Sequence, residues 1–135
     1  MNCLLLGGNL YIEKKWICAD MLIENGSIAK IGTDLQKNYP DLPCFDLQNK
    51  YVFPGFIDVH VHFREPGFSV KETIESGSKA AAHGGYTHVC TMPNLNPVPD
   101  TVEHLSLQQE IIKASACIHV YPYGSITMEE KGEKL

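Results

Sequence analysis

One hydrophobic segment, residues 52–66, limits what this chain can fold into more than any other feature. The run from Phe56 to His62 is rich in Ile and Val, and a Pro-Gly pair stands on each side of it. A short apolar run between such turn residues predicts a strand that is largely buried. The polar residues inside this strand therefore need a physical explanation.

Those polar residues are Asp58, His60 and His62, and their alternating positions predict that they share one face of the strand. The two imidazoles would lie about 6–7 Å apart along the strand, close enough to bind one metal ion. Burial of three polar groups is costly unless something satisfies them, which favours a metal site. The alternative is an exposed or hydrogen-bonded histidine pair. Arg64, directly after the strand, is suited to binding a carboxylate.

Beyond this strand the hydrophobic pattern alternates between strands and helices, which predicts parallel strands joined by right-handed crossovers. A Ser69/Glu72 capping box predicts the start of the first helix, and Asp100 is the expected cap of the second. Strands are predicted at 56–62, 86–91 and 117–121, and helices at 69–84 and 101–114. The stretch 127–135 resembles the approach to a third helix.

The motif itself resembles that of a known superfamily. The string Pro-Gly-Phe-Ile-Asp-Val-His-Val-His-Phe-Arg-Glu-Pro-Gly is similar to the signature of the amidohydrolases. Its continuation from Arg64 to Gly67, together with Met92-Pro93-Asn94, resembles the dihydroorotases in particular. The similarity runs through essentially all 135 residues and covers the first third of such an enzyme.

This resemblance implies an α/β fold in two parts. Residues 52–135 would form the first three strands and two helices of an incomplete (β/α)8 TIM-like metallo-hydrolase barrel. Active sites of such barrels gather at the C-terminal ends of the strands, where His60, His62, Arg64 and Asn94 fall. Residues 1–51 would form part of a small β-sandwich.

The pattern of residues 1–51 predicts a β-meander. Gly7-Gly8-Asn9 is a hairpin signal between two short strands, and Asn25-Gly26 is typical of a tight type I′ turn. The charged residues in this part have the distribution of a solvated face. We therefore expect no catalytic constellation in residues 1–51.

The resemblance also implies a chemistry, the zinc-dependent, reversible cyclisation of N-carbamoyl-L-aspartate to L-dihydroorotate in pyrimidine biosynthesis. His60 and His62 would bind one zinc of a one- or two-zinc centre, and Asp58 would orient a ligand or accept a hydrogen bond. Arg64 and Asn94, with His62, would hold the substrate. The general acid/base and further ligands are expected beyond Leu135, so no catalytic residue is assigned within this chain, which we expect to be inactive alone.

Composition excludes several partners. The formal charge of −5 and the lack of a Lys/Arg cluster argue against nucleic acid, and no apolar run is long enough to cross a membrane. The five cysteines form no Cys-x-x-Cys pair that would indicate a thiolate zinc site. Without a signal peptide we expect a cytoplasmic protein with a small-molecule substrate. The resemblance implies a homo-oligomer and, further, association with aspartate transcarbamoylase.

Two other functions fit the same residues. A related cyclic amidase, an allantoinase or a hydantoinase, shares parts of the motif. A non-catalytic dihydroorotase-like scaffold is the third possibility, although the presence of Asp58, His60, His62 and Arg64 argues against decay of this part. Assays of the complete protein on dihydroorotate, allantoin and hydantoin would distinguish a dihydroorotase from a related cyclic amidase.

Overall fold

The computed structural model describes residues 2–135, and these divide between Pro54 and Gly55 into two compact units. The sequence predicts the boundary between the two parts a few residues earlier, after residue 51. The assignment of the two parts to a partial sandwich and a partial barrel remains a prediction.

The first unit is built on one mixed sheet. Its strands are β1 (Cys3–Ile12), β2 (Lys15–Glu24), β3 (Ser27–Gly32), β4 (Cys44–Asp46) and β5 (Tyr51–Val52), with a short helix α1 (Leu35–Asn38) before β4. The order is β3-β2-β1-β4, and β5 also pairs with β1. The first three strands are antiparallel, as a meander requires, whereas β4 and β5 run parallel to β1. The meander prediction is therefore wrong for the last two strands.

The hairpin expected at Gly7-Gly8-Asn9 does not form. Strand β1 continues through these residues, and its register against β2 shifts between Leu5 and Gly8. The Asp20 carboxylate explains the irregularity, because it accepts hydrogen bonds from the backbone N–H of Gly7 at 2.8 Å and of Leu35 at 3.0 Å. The turn at Asn25-Gly26 is confirmed, with positive φ at both residues.

Two buried clusters stabilise the first unit. Their members are aliphatic side chains from β1, β2 and α1, and each large one contributes about 1.5–3 kcal/mol by leaving water. One cluster holds Leu4, Leu22 and Leu35, and the other holds Leu10, Ala19 and Met21. The alternating pattern of the strands thus produces the core of this unit.

The second unit is an α/β arrangement. Its strands are β6 (Phe56–Val61), β7 (Tyr86–Thr91) and β8 (His119–Pro122), and its helices are α2 (Ile74–His83) and α3 (Val102–Ser115). The three strands pair in the order β6-β7-β8 and are all parallel, which confirms the alternation of strands and helices predicted from the sequence. The core of the unit consists of Phe63, Ile74, Val89 and Val120.

Both predicted helix starts are wrong by a small number of residues. Helix α2 begins at Ile74, where Thr73 and Ser76 form the capping box that was expected at Ser69 and Glu72. Helix α3 is capped by Thr101, which accepts the His104 N–H at 3.2 Å. In each case a polar residue closer to the apolar stripe forms the cap.

Two further boundaries differ near the end of the chain. Strand β8 begins at His119 instead of Cys117, because the Cys117 N–H donates to the Ser78 hydroxyl at 3.2 Å and does not join the sheet. The helical approach expected at 127–135 is a short 3-10 turn, Met128–Glu130. Among residues 2–135, no helix combines the length and the apolar character that crossing a membrane requires.

Candidate active site

The candidate site lies where two parallel strands end side by side. Val61, the last residue of β6, is in register with Thr91, the last residue of β7. The N–H of Met92 donates to the Val61 carbonyl at 2.9 Å. The residues that follow the two strands are therefore neighbours, although they are far apart in sequence.

The two motif histidines are close together at this edge. The ring centroids of His60 and His62 are 5.3 Å apart, the ring planes are inclined by 64°, and both residues are exposed. The register of β6 against β7 shifts between Asp58 and Val61. The Asp58 carboxylate accepts a hydrogen bond from the His60 backbone N–H at 3.0 Å, so it holds the backbone of this histidine.

His62 is joined to the end of the neighbouring strand. Its Nδ1 lies 2.9 Å from the side-chain oxygen of Asn94. Asn94 is half-buried and follows β7 by three residues. The sequence predicts these two residues at the same edge of the sheet, and in the structure they are in direct contact.

Phe63 anchors the segment that carries His62 and Arg64. Its ring is 5% exposed and packs against Gly77 of α2, where an added Cβ would lie 2.5 Å from ring carbons. A larger side chain at Gly77 would displace the ring. The buried Phe63 thus fixes where the residues on either side of it emerge.

Arg64 is half-buried, and its guanidinium carries a positive charge. Within residues 2–135, no carboxylate forms an ion pair with it. A guanidinium presents a planar set of donors that matches a carboxylate. The Arg64 side chain is therefore available for an anionic group from outside the chain.

The loops that carry Arg64 and Asn94 are bound to each other. The Asn96 N–H donates to the Pro66 carbonyl at 3.3 Å. Gly67 has φ of +97° and lies so close that an added Cβ would be 2.2 Å from the Asn96 carbonyl oxygen, so glycine is required there. The two loops cannot move apart without loss of these contacts.

Glu65 has a role that the sequence analysis missed. Its Oε2 accepts the N–H of Ile74, the first residue of α2, at 2.7 Å. A carboxylate at a helix N-terminus is stabilised by the helix dipole and satisfies an unpaired donor. The residue after Arg64 is thereby tied to a helix whose start was predicted elsewhere, and no local sequence signal marks this contact.

Asp100 has a similar role in the loop after β7. Its side chain, 5% exposed, lies 2.9 Å from the His104 Nδ1 and also accepts the Glu129 N–H at 2.8 Å. The hydrogen bond from Glu129, followed by that from His104, holds the pKa of Asp100 below its usual value. The i, i+4 spacing of Asp100 and His104 could have indicated the contact between these two residues, but no sequence signal indicates the contact with Glu129.

A second pair of histidines lies in the same sheet. His88 of β7 and His119 of β8 are in register, and their rings stack with centroids 4.7 Å apart. Tyr121 stacks on both, with its ring plane inclined by 7° to that of His88 and by 18° to that of His119. The rings of His88 and His119 pack face to face. Among the described residues, this pair and the motif histidines do not form one group of possible metal ligands.

The residues present fit part of a zinc site. His60 and His62 supply two exposed imidazoles within reach of one ion, and neutral imidazole is a common zinc ligand. In the described part of the chain, no three His, Cys, Asp or Glu side chains lie close enough together to hold a metal ion. Zinc takes three or four protein ligands, so these two histidines would be a portion of the ligand set.

Comparison with known proteins identifies the family. A model of the family described as "Dihydro-orotase-like" matches residues 49–135, which include the whole of the candidate site. The chain belongs to this family. Among curated proteins, the dihydroorotase of Fusobacterium nucleatum is 52% identical over 134 residues, and that of Ligilactobacillus salivarius is 49% identical over 136.

The match to these dihydroorotases covers the chain but not the relatives. The alignments include 99% and 100% of this chain and 30% and 32% of the two relatives. The chain therefore spans about a third of the length of the curated proteins that it matches. The shared part contains the paired histidines and the two loops of the candidate site.

Solved structures similar to this dihydro-orotase-like chain include hydantoinases. A D-hydantoinase superposes with a TM-score of 0.79 at 29% identity, over 94% of this chain and 28% of the other. The D-hydantoinase (dihydropyrimidinase) from Thermus sp. has a TM-score of 0.74 at 30% identity, over 97% and 29%. The fold found here is thus shared with the N-terminal part of these two D-hydantoinase chains, as far as the superpositions extend.

Proposed function

We propose that this chain is the N-terminal part of a dihydroorotase. The complete enzyme would catalyse the zinc-dependent, reversible cyclisation of N-carbamoyl-L-aspartate to L-dihydroorotate in pyrimidine biosynthesis, in the cytoplasm. The observation that carries the proposal is the joining of the two motif loops, which brings His62 and Asn94 together beside Arg64. Curated relatives that bear the name dihydroorotase support it.

The same proposal extends the fold. Three parallel strands with two helices, in the order seen here, would be the first part of a (β/α)8 barrel, a fold that places its active site at the C-terminal ends of the strands. The site residues lie at such ends. We propose that later strands continue the sheet on the side of β8, and that residues 1–51 belong to a β-sandwich.

Zinc would be held in part by His60 and His62. When bound, the metal would lower the pKa of water and polarise the carbonyl of the cyclic amide. Asp58 would keep the His60 backbone in place through the hydrogen bond already described. The general acid/base and the other ligands would come from residues after Leu135, so this chain would orient the metal and the substrate without transferring a proton itself.

Substrate recognition would rest on Arg64, Asn94 and His62. Both L-dihydroorotate and N-carbamoyl-L-aspartate carry a carboxylate, which the unpaired Arg64 guanidinium can bind through two parallel hydrogen bonds. The Asn94 amide would donate a further hydrogen bond. The fixed loop contacts between Gly67 and Asn96 would hold these donors in position before the substrate arrives, which lowers the entropic cost of binding.

A hydantoinase is the second candidate function, because the similar solved structures are hydantoinases. The unpaired Arg64 argues against it, since the ring of a simple hydantoin carries no carboxylate for the guanidinium to bind. Allantoinase activity and a non-catalytic scaffold role are further alternatives. The homo-oligomer and the association with aspartate transcarbamoylase remain predictions.

The test is a substrate comparison with the complete, zinc-loaded protein. We expect turnover of L-dihydroorotate, and of N-carbamoyl-L-aspartate in the reverse direction, with a kcat/KM far above that for hydantoin or allantoin. Preferred turnover of hydantoin or allantoin would establish the related amidase instead. Absence of turnover on all of them, in a zinc-loaded and folded protein, would favour the scaffold.

A further inference from the structure

The contact between His62 and Asn94 favours one of the two neutral tautomers of the histidine ring. The atom of Asn94 that faces His62 Nδ1 at 2.9 Å is the side-chain oxygen, which can only accept a hydrogen bond. A hydrogen bond between these two atoms requires the tautomer that carries its proton on Nδ1. In the neutral imidazole the other nitrogen, Nε2, then keeps its lone pair and is the atom that can bind a metal.

We propose that Asn94 is a positioning residue for His62, in addition to its proposed role in binding the substrate carboxylate. Its Oδ1 selects the tautomer that presents Nε2 to zinc, and its NH2 group remains available to donate to the substrate carboxylate. This inference rests on the proposed function. The Asn94 oxygen would orient the metal-binding histidine, and the Asn94 nitrogen would bind the substrate. One side chain would thus link metal binding to substrate recognition.

The surroundings of Asn94 are suited to such a role. Leu95, the next residue, is 4% exposed and anchors the loop in the core. The Leu95 N–H donates to the Pro93 carbonyl at 2.7 Å, and Asn96 is bound to Pro66. With the two residues that follow Asn94 held in this way, its amide is fixed relative to His62. Such partners of metal-binding histidines fix the ring orientation and increase ligand basicity.

The two motif histidines differ in this respect. The backbone N–H of His60 is held by Asp58, whereas the ring of His62 is held by Asn94. The sequence places each stabilising group differently, two residues before His60 and 32 residues after His62. Loss of the Asn94 side chain should therefore act on metal affinity through His62 alone.

The experiment compares two substitutions in the complete protein, Asn94→Asp and Asn94→Ala. Asp keeps an oxygen acceptor for Nδ1 but replaces the donating NH2 group by a negative charge, while Ala removes both functions. Zinc affinity is measured by competition with a chelator, and KM is measured for L-dihydroorotate. Asn38→Ala, the same change at an exposed asparagine of α1, is the matched control and should leave both quantities unchanged.

We expect Asn94→Asp to bind zinc at least as tightly as the wild type and to raise KM, because its charge repels the substrate carboxylate. We expect Asn94→Ala to weaken zinc binding by about 10- to 100-fold and also to raise KM. The nitrogen chemical shifts of 15N-labelled histidine, in the zinc-free protein, should show His62 protonated on Nδ1 in the wild type and in Asn94→Asp.

Wild-type zinc affinity in Asn94→Ala would overturn the inference, as would an equal loss of affinity in Asn94→Asp and Asn94→Ala. A His62 protonated on Nε2 in the zinc-free wild type would overturn it independently of any metal measurement. These results differ from failure of the proposed function, which is measured on the wild-type protein itself as preferred turnover of hydantoin or allantoin, or as no turnover of any of these substrates when zinc is bound. Circular dichroism of each variant confirms that the fold is intact.

Discussion

The Nδ1 atom of His62 lies 2.9 Å from the side-chain oxygen of Asn94, across 32 residues of sequence. The contact joins the ends of β6 and β7, and the backbone hydrogen bond from Asn96 to Pro66 joins the loops that follow them. Two motif segments are therefore one structural unit. A substitution in either segment should therefore alter the structure of the other. The substitutions below are designed to separate effects on metal binding from effects on substrate binding.

We expect His60→Ala and His62→Ala, each in the complete protein, to remove zinc and abolish turnover, because each deletes a direct ligand. The 135-residue chain, with these two ligands only, should bind zinc weakly. Metal content after dialysis against a mild chelator measures both expectations. Stoichiometric zinc retained by the 135-residue chain under these conditions would contradict the assignment, unless another chain donates ligands.

Arg64→Lys should impair substrate binding without affecting the metal. Lysine retains the positive charge but cannot form two parallel hydrogen bonds with a carboxylate. A charge-assisted hydrogen bond contributes about 1.5–3 kcal/mol, so KM for L-dihydroorotate should rise about tenfold or more. Steady-state kinetics and zinc analysis of the same preparation test this. An unchanged KM, or loss of zinc without a binding defect, would reject the role of Arg64.

Glu65→Ala should weaken the start of α2, because the Ile74 N–H loses its acceptor. Loss of such a cap costs about 0.5–2 kcal/mol in the free energy of unfolding, which urea denaturation can detect. Glu65→Gln is the control, since it retains an acceptor oxygen for the Ile74 N–H. It should lose only the part of the stabilisation that comes from the negative charge at the helix N-terminus. Equal stability of wild type and Glu65→Ala would show that this contact contributes nothing.

Low pH should loosen the segment around Glu129. The hydrogen bonds from Glu129 and His104 lower the pKa of Asp100, so the folded state binds this proton less readily than the unfolded state. The stabilisation is complete above the ordinary pKa of an aspartate, about 3.9, and is lost as pH falls through the lower folded value.

Amide hydrogen exchange of Glu129, followed by NMR between neutral and acidic pH, measures this effect. Protection should decrease in the acidic range for the wild type. In Asp100→Ala the protection should already be low at neutral pH and should not depend on this titration. Full protection of the Glu129 amide in Asp100→Ala would show that the carboxylate does not hold the segment.

The 135-residue chain alone should be catalytically silent and should self-associate. Ile57 and Val59 of β6 are each 63% exposed and Tyr121 of β8 is 52% exposed, so both outer strands of the sheet present apolar side chains and strand edges, which promote association. Sedimentation tests this, and a monodisperse 15 kDa monomer that melts cooperatively would contradict it.

Mixing the chain with a separately made remainder of the protein should restore some dihydroorotase activity if the two parts pair. Measurable turnover by the 135-residue monomer, without that remainder, would place catalytic groups within this chain. It would thereby contradict the expectation that the acid/base lies beyond Leu135.

Sequence reasoning located most of the elements because their signals are local. The period-2 pattern of Tyr86–Thr91 predicted β7 with its observed limits, and the alternation of strands and helices predicted the parallel sheet. It failed where a distant group competes with the local signal. Asp20 binds the N–H of Gly7 and converts an expected hairpin into a bulge, and Glu65 binds Ile74 at a helix start predicted elsewhere.

The sequence by itself determined which chemical groups are present and at which strand ends they stand: His60, His62, Arg64 and Asn94. The tertiary structure alone decided how these groups meet. The hydrogen bond between His62 and Asn94, and the packing of Gly67 on Asn96, depend on the register of β6 against β7. This register is fixed by the burial of core residues such as Val89. The free energy of that burial is the sum of many contacts between residues that are distant in sequence, and no short motif encodes it.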